Sequence, residues 1–244
     1  MSAAQLSRAV VWHDLECGSY REDLALWLEL AAHHGGPVLD VGAGTGRVAI
    51  ALARAGHEVI ALDLDRVLLA ELERRAGDLP VQCLPGDGRA FSLGRKVPLC
   101  VVPMQTIQLL GGAAGRAAFL EAARRHLRPG GVLAIAIAEH LEPFVVRDGG
   151  PAPLPDLLEL EGTLFCSQPT AVRLEARHFV LERRREIVDE HGRREVSDDR
   201  IELDRLSAAE LEREAREAGL RPLGVREIEA TVDHVASRVV ILGA

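Results

Sequence analysis

Across 244 residues the chain carries a net charge of −8 at pH 7, with 48% hydrophobic and 27% charged residues. That balance describes a globular protein with enough apolar side chains for a sizeable core, and it excludes a global basic field that would recruit nucleic acid. The four cysteines, Cys17, Cys83, Cys100 and Cys166, are scattered without a CxxC or Cys/His cluster, so no metal site is expected and reduced thiols in a cytoplasmic protein are. Neither a signal peptide nor a membrane-spanning run of about 20 apolar residues is present, so no membrane partner is expected.

Residues 1–20 include Val10-Val11-Trp12-His13-Asp14 and end at Tyr20. Apolar spacing then predicts a helix from Arg21 to His34, stopped by Gly35-Gly36-Pro37. A strand from Pro37 to Val41 runs into Gly42-Ala43-Gly44-Thr45-Gly46, and a helix follows from Arg47 to Ala55. A second strand, Glu58 to Leu62, ends in Asp63; a helix over Val67–Ala76 follows, with Leu68, Leu69 and Leu72 at helical spacing. Val81–Leu84 is a short strand entering Pro85-Gly86-Asp87-Gly88, and Val97–Val102 is another, ended by Pro103. Ala113–Leu127 reads as a helix stopped by Arg128-Pro129-Gly130-Gly131, and Val132–Ala138 as an uninterrupted apolar strand. Strands alternating with helices predict a parallel sheet covered on both faces.

After Glu139 the pattern changes. A loop is expected over 147–155, and 171–206 interleave charged with apolar positions around a His191-Gly192 turn. This predicts antiparallel strands forming a cover beside the main sheet, with a solvated charged face, since acids and arginines nearly balance. Ser207 and Glu210 predict a capping box for a helix reaching Ala218. Leu223–Glu229 and Ala236–Leu242 lack an intervening helix and should pair antiparallel.

The chemistry centres on the glycine turn. Glycines at a strand-to-helix turn let a ligand approach the backbone, and the helix N-terminus favours anions. Asp63, at the tip of the next strand, is well placed to accept hydrogen bonds from ribose hydroxyls, or it could cap the turn or the helix that begins near Asp65. The reading is a nucleoside-containing cofactor at the carboxyl ends of a parallel sheet. The spacing is GxGxG, with Arg47 where a nicotinamide fingerprint has its third glycine, and no Gly-Lys-Ser/Thr makes a P-loop.

Val38-Leu-Asp-Val-Gly-Ala-Gly-Thr-Gly46, Glu58-Val-Ile-Ala-Leu-Asp63, Pro85-Gly-Asp87 and Leu127-Arg-Pro-Gly-Gly131 together resemble the ordered motifs of class I S-adenosylmethionine-dependent methyltransferases of the small-molecule type. The resemblance covers about residues 12–140 and implies a Rossmann-like, doubly wound, mostly parallel seven-stranded sheet with a reversed last strand, plus an antiparallel β insertion. The expected organisation is one methyltransferase domain over 1–244 with 141–206 as the inserted cover. It implies that Gly42, Ala43 and Gly44 pass under the methionine and ribose parts of S-adenosylmethionine while Asp40 helps fix the loop. Asp63 would take the ribose hydroxyls, Leu64 would pack on the adenine, and Asp87 would face its amino group with Gly88 beside it. Tyr20 would close the pocket near the methionine end, and Met104 would lie under the sulfonium. The alternative for Asp87 is a simple turn residue, and for Tyr20 ordinary packing.

The implied activity is transfer of a methyl group to a small organic acceptor, leaving S-adenosylhomocysteine; the alternative is a protein of the same fold that binds the cofactor without turnover. Pro103-Met104-Gln105-Thr106 departs from the Asn/Asp-Pro-Pro-Tyr pattern of amino-directed nucleic-acid methyltransferases, so no nucleic-acid partner is expected. The reaction does not by itself demand a general base. His13, Gln105, Gln108, Glu139, His140 and Asp233-His234 lie where loops leave strands, and none is assigned as catalytic. The charged hairpin could also pair across a homodimer interface.

Overall fold

The computed structural model describes residues 7–147, 150, 152–232 and 234–244. Positions 148, 149 and 151 of the expected loop and the candidate Asp233 therefore lie outside the described residues. The chain divides into two compact units: Tyr20–His140 with Leu206–Ala244, and Met1–Ser19 with Leu141–Arg205.

The larger unit is built on seven strands. β1 (Val38–Val41), β2 (Val59–Asp63), β3 (Val81–Pro85), β4 (Val97–Val102) and β5 (Leu127–Ile137) come from the first half of the unit. β11 (Arg221–Ile228) and β12 (Ser237–Gly243) come from its end, and the order across the sheet is β11-β12-β5-β4-β1-β2-β3. β1 pairs parallel with β2 and β4, β2 with β3, and β4 with β5. β12 is antiparallel to both β5 and β11, so the last strand is reversed as expected.

The central strands are buried on both faces, which is why they read as unbroken apolar runs rather than alternating ones. One face packs Leu39, Ile60, Cys100 and Leu133 against Phe119 and Leu120 of α5 (Gly112–His126) and Leu211 of α6 (Ala208–Glu217). The other packs Val38, Ala61, Leu99 and Ala134 against Trp27 of α2 (Leu24–His34), Leu52 of α3 (Arg47–Arg54) and Leu72 of α4 (Arg66–Ala76). Ser207 accepts from the Glu210 N–H (3.2 Å) while the Glu210 carboxylate accepts from the Ser207 N–H (2.9 Å), so the expected capping box is present.

Arg128-Pro129-Gly130-Gly131 ends α5 but does not separate it from β5 by an open loop. Leu127 already pairs with Val97, the next pair is Leu99 with Val132, and the intervening residues bulge out of the ladder. Gly130 takes φ +74°, and the chain end is tied there, with the Gly130 N–H donating to the Ala244 carbonyl (3.2 Å) and the Ala244 N–H to the Gly131 carbonyl (3.0 Å).

The smaller unit is an antiparallel sheet of order β10-β9-β8-β6, formed by β6 (Phe144–Val145), β8 (Thr163–Leu174), β9 (His178–Val188) and β10 (Arg194–Asp204), with β7 (Asp156–Leu160) also on β8. The His191-Gly192 turn joins β9 to β10 as the sequence predicts, but an earlier turn at 175–177 splits the preceding apolar positions between β8 and β9. The first helix, α1 (Arg8–Cys17), was not legible. Its buried residues Val10, Val11 and Trp12 are contiguous, so they carry no 3.6-residue period. Trp12 packs edge-on to Phe165 (centroids 5.4 Å) and lies under the Arg185 guanidinium, which holds the buried Glu16 carboxylate with two N–H donors at 2.8 and 2.7 Å.

Candidate functional site

The glycine turn occupies the carboxyl end of β1, as the parallel topology requires of a ligand site in such a sheet. Gly42, Gly44 and Gly46 all have positive φ, at +75°, +53° and +97°. Two of them also answer to space. A Cβ on Gly42 would meet Thr106 Oγ1 at 2.5 Å, and one on Gly46 would meet Leu72 Cδ1 at 2.1 Å. Gly46 thus gives α3 and α4 the close packing for which a nicotinamide fingerprint uses its later glycine, which explains how Arg47 can stand in the next position. Thr106 was not singled out from the sequence; it roofs Gly42 from the loop after β4, its hydroxyl donating to the Pro103 carbonyl (3.0 Å).

The turn is closed by its neighbours. The Gly42 and Ala43 N–H groups donate to the Leu62 carbonyl, at 2.8 and 3.2 Å. Asp63 accepts from the Gly44 N–H with one oxygen (2.8 Å) and from the Asp65 N–H with the other (2.8 Å). Asp65, not Asp63, caps α4, accepting from Val67 and Leu68. Each Asp63 oxygen keeps a lone pair for a further donor. Leu64, beside it, is 71% exposed on the rim.

Asp40 lies wholly buried beneath the turn, and neither carboxyl oxygen has a hydrogen bond of normal geometry. Burial pushes its pKa up to about 7; the Arg47 charge opposes this, Asp63 and Asp23 reinforce it, and the nearby Ala49 N–H offsets it weakly. Across the turn, Arg47 forms a buried bidentate pair with Asp23, its second nitrogen at 2.8 Å from Oδ2, and donates to the Tyr20 carbonyl (3.1 Å). Its guanidinium also stacks 5.1 Å from the Tyr20 ring centroid. The sequence used Arg47 only to exclude nicotinamide; here it straps the start of α2 onto the glycine turn. The available signal was the acid in Glu22-Asp23-Leu24, which had no partner in the linear pattern.

Tyr20 is buried, its phenol oxygen near Ser237 without a hydrogen bond of normal geometry, and burial raises its pKa. Met104 belongs to the same apolar cluster as Tyr20 and takes φ +54°, a left-handed conformation uncommon outside glycine. Asp87 sits farther along the rim. Its carboxylate accepts from the Arg89 N–H (2.8 Å) and pairs with the Arg89 guanidinium (2.6 Å), which holds its pKa below the usual range. Gly88 packs over Val41, where an added Cβ would lie 3.4 Å from Cγ1.

The loop candidates divide clearly. Gln108 is buried and clamps Ala138 at the end of β5, accepting from its N–H (2.8 Å) and donating to its carbonyl (3.1 Å). Glu139 accepts from the Ala208 N–H at the start of α6 and pairs with Arg238 at 2.9 Å. Both are consumed by the fold. Gln105 caps the turn Thr106–Leu109 through its carbonyl, and His140 is exposed. His13 belongs to the smaller unit, 3.8 Å from Asp14. His234 instead stands against Tyr20, with ring centroids 5.0 Å apart, and its Nδ1 is 3.3 Å from Glu22 Oε1.

A turn with no room for a Cβ at Gly42 or Gly46, an acid at the next strand tip, an exposed apolar side chain beside it and an unsatisfied carboxyl below fit a nucleoside cofactor with a cationic centre. Comparisons agree. Residues 38–131 match the family described as a methyltransferase domain. The chain is 34% identical over 118 residues to the cypemycin N-terminal methyltransferase of a Streptomyces species, a match spanning 48% of this chain and 47% of that relative's length. It is similar in fold to the amino pentose methyltransferase of Micromonospora echinaspora, solved with S-adenosylmethionine (TM-score 0.71, 22% identity, 95% of this chain and 94% of that one). It is also similar to a sugar N-methyltransferase from a Streptoalloteichus species (TM-score 0.70, 21% identity, 95% and 91%).

Proposed function

We propose that this chain, a class I S-adenosylmethionine-dependent methyltransferase, methylates an amine nitrogen of a small organic acceptor. The observation that carries the reading is the Asp63–Gly44 hydrogen bond across a turn whose Gly42 admits no side chain, because it places an acid and a bare backbone on one rim. Gly42, Ala43 and Gly44 would line the methionine and ribose parts, with Asp63 on the ribose, Leu64 on the adenine, and Asp87 and Gly88 at its edge. Tyr20 and Met104 would bound the sulfonium end, and Asp40 would hold the loop from below.

When bound, the cofactor supplies an electrophilic methyl group on a sulfonium, a good leaving group. The protein's task is then alignment and exclusion of water. The Arg47–Asp23 strap serves that task by fixing Tyr20 against the turn. Nitrogen is favoured as the accepting atom because the named proteins are an N-terminal methyltransferase, an amino pentose methyltransferase and a sugar N-methyltransferase.

Calorimetric titration with S-adenosylhomocysteine, followed by radiolabelled methyl transfer to glucosamine and trialanine, tests the proposal. Saturable binding with label on a nitrogen is expected; no binding at millimolar concentration would overturn it. The same reading places the chain in the cytoplasm, working without nucleic acid. A homodimer through β10 is part of it, since that 11-residue strand forms an edge of its sheet. Sedimentation giving a strict monomer would remove the dimer.

A further inference from the structure

The loop between β11 and β12 carries His234, a loop candidate whose ring is set against Tyr20. β11 runs parallel to β5, because both are antiparallel to β12. Its carboxyl end therefore opens on the same rim as the glycine turn, and β12 starts there, with Ser237 opposite Ile228 of β11 and Arg238 opposite Ile137 of β5. His234 is fixed there from three sides. Its backbone N–H donates to Thr231 Oγ1 (3.0 Å), its ring lies against Tyr20, and its Nδ1 lies 3.3 Å from Glu22 Oε1 and 3.5 Å from Thr231 Oγ1. Its side chain is 26% exposed, and that of Glu22 is 28% exposed.

We infer that His234, oriented by Glu22, is the proton acceptor for the acceptor amine. A carboxylate on Nδ1 selects the tautomer with the proton on Nδ1 and leaves the Nε2 lone pair available. The amine N–H bond breaks toward Nε2, its electron pair stays on the nitrogen that takes the methyl group, and the carbon–sulfur bonding pair stays on sulfur. The resulting imidazolium is held by Glu22 until it loses its proton to solvent. Among the described residues, the charged and titratable groups around it are Glu22 and Tyr20, with Arg47 behind the Tyr20 ring and Asp23 behind Arg47. Glu22 is itself held to the chain by accepting from the Arg21 N–H (2.8 Å), so the carboxylate is placed before substrate arrives.

This rests on the methyltransferase reading, and the test separates the two. The full chain with isotopically labelled histidine is titrated by NMR as its S-adenosylmethionine complex and as its S-adenosylhomocysteine complex. The His234 resonance among the nine histidines is identified by its loss in His234→Asn. The spectra should show the Nδ1-protonated tautomer for His234, and Glu22→Gln should change the His234 signal in both complexes. Where glucosamine or trialanine is methylated, His234→Asn should lower kcat roughly 100-fold and remove the acidic limb of the kcat/KM profile while S-adenosylhomocysteine still binds. A His234 signal unchanged by Glu22→Gln, or an unchanged kcat in His234→Asn, would overturn the inference. Absence of any cofactor binding would overturn the methyltransferase reading instead.

Discussion

At the residue scale, two positions carry the argument, Gly42 in the turn and the buried Asp40 beneath it. Gly42 is required twice over, by its left-handed backbone and by Thr106 above it. Gly42→Ala should therefore weaken S-adenosylhomocysteine binding by about tenfold or more, roughly 1.4 kcal/mol, as read by calorimetry. Asp40 is the second. Its folded pKa of about 7 lies above the ordinary 3.8, so the folded state holds the proton more tightly than the unfolded chain. The stability linked to this proton is fully present below the ordinary value and is lost as pH rises through about 7. The loss is on the order of 4 kcal/mol. Urea denaturation at pH 5 and pH 8 should show Asp40→Asn gaining on the wild type as pH rises; a constant difference would contradict the assignment. The sequence located Asp40 by resemblance, but its missing hydrogen bonds depend on which side chains enclose it, and spacing does not encode that.

At the element scale, local rules worked where local interactions decide. The capping box at Ser207 needs only residues three apart, so it was legible. Ser207→Ala should cost about 1 kcal/mol, seen as a lower thermal midpoint. The Arg47–Asp23 pair joins α3 to the start of α2 across 24 positions and was not legible. Both side chains are almost fully buried, so breaking one partner leaves an uncompensated charge. Asp23→Asn should destabilise by roughly 3–5 kcal/mol in chemical denaturation, and replacing both by apolar residues of similar size should cost much less. α1 and β7 were missed for the opposite reason. α1 buries contiguous rather than periodic residues, and β7 is a short strand of half-exposed alternation beside a turn.

At the scale of the molecule, the seven-stranded sheet with its reversed β12 is what turns scattered motifs into one rim. It brings the ends of β1, β2, β4 and β5 together and adds the loop before β12. The smaller unit has its own apolar cluster, Val11, Trp12 and Phe165, and its own buried ionic network around Glu16 and Arg185. Replacing Glu16 by Gln leaves Arg185 paired with Asp199, and should lower the stability of this unit in hydrogen exchange while leaving S-adenosylhomocysteine binding intact.

By itself the sequence determined the strand–turn–helix order, the parallel sheet, the glycine turn with Asp63 and the class of cofactor. These follow from period, turn chemistry and motif spacing, all interactions between residues close in the chain. Only the tertiary structure decided which loop residues remain available for chemistry. Gln108 and Glu139 looked as eligible as His234 until Ala138, Ala208 and Arg238 were found to occupy them. The physical reason is that a polar side chain's role is set by whether a buried backbone group or charge claims its hydrogen-bonding capacity, and those claimants lie far away in sequence.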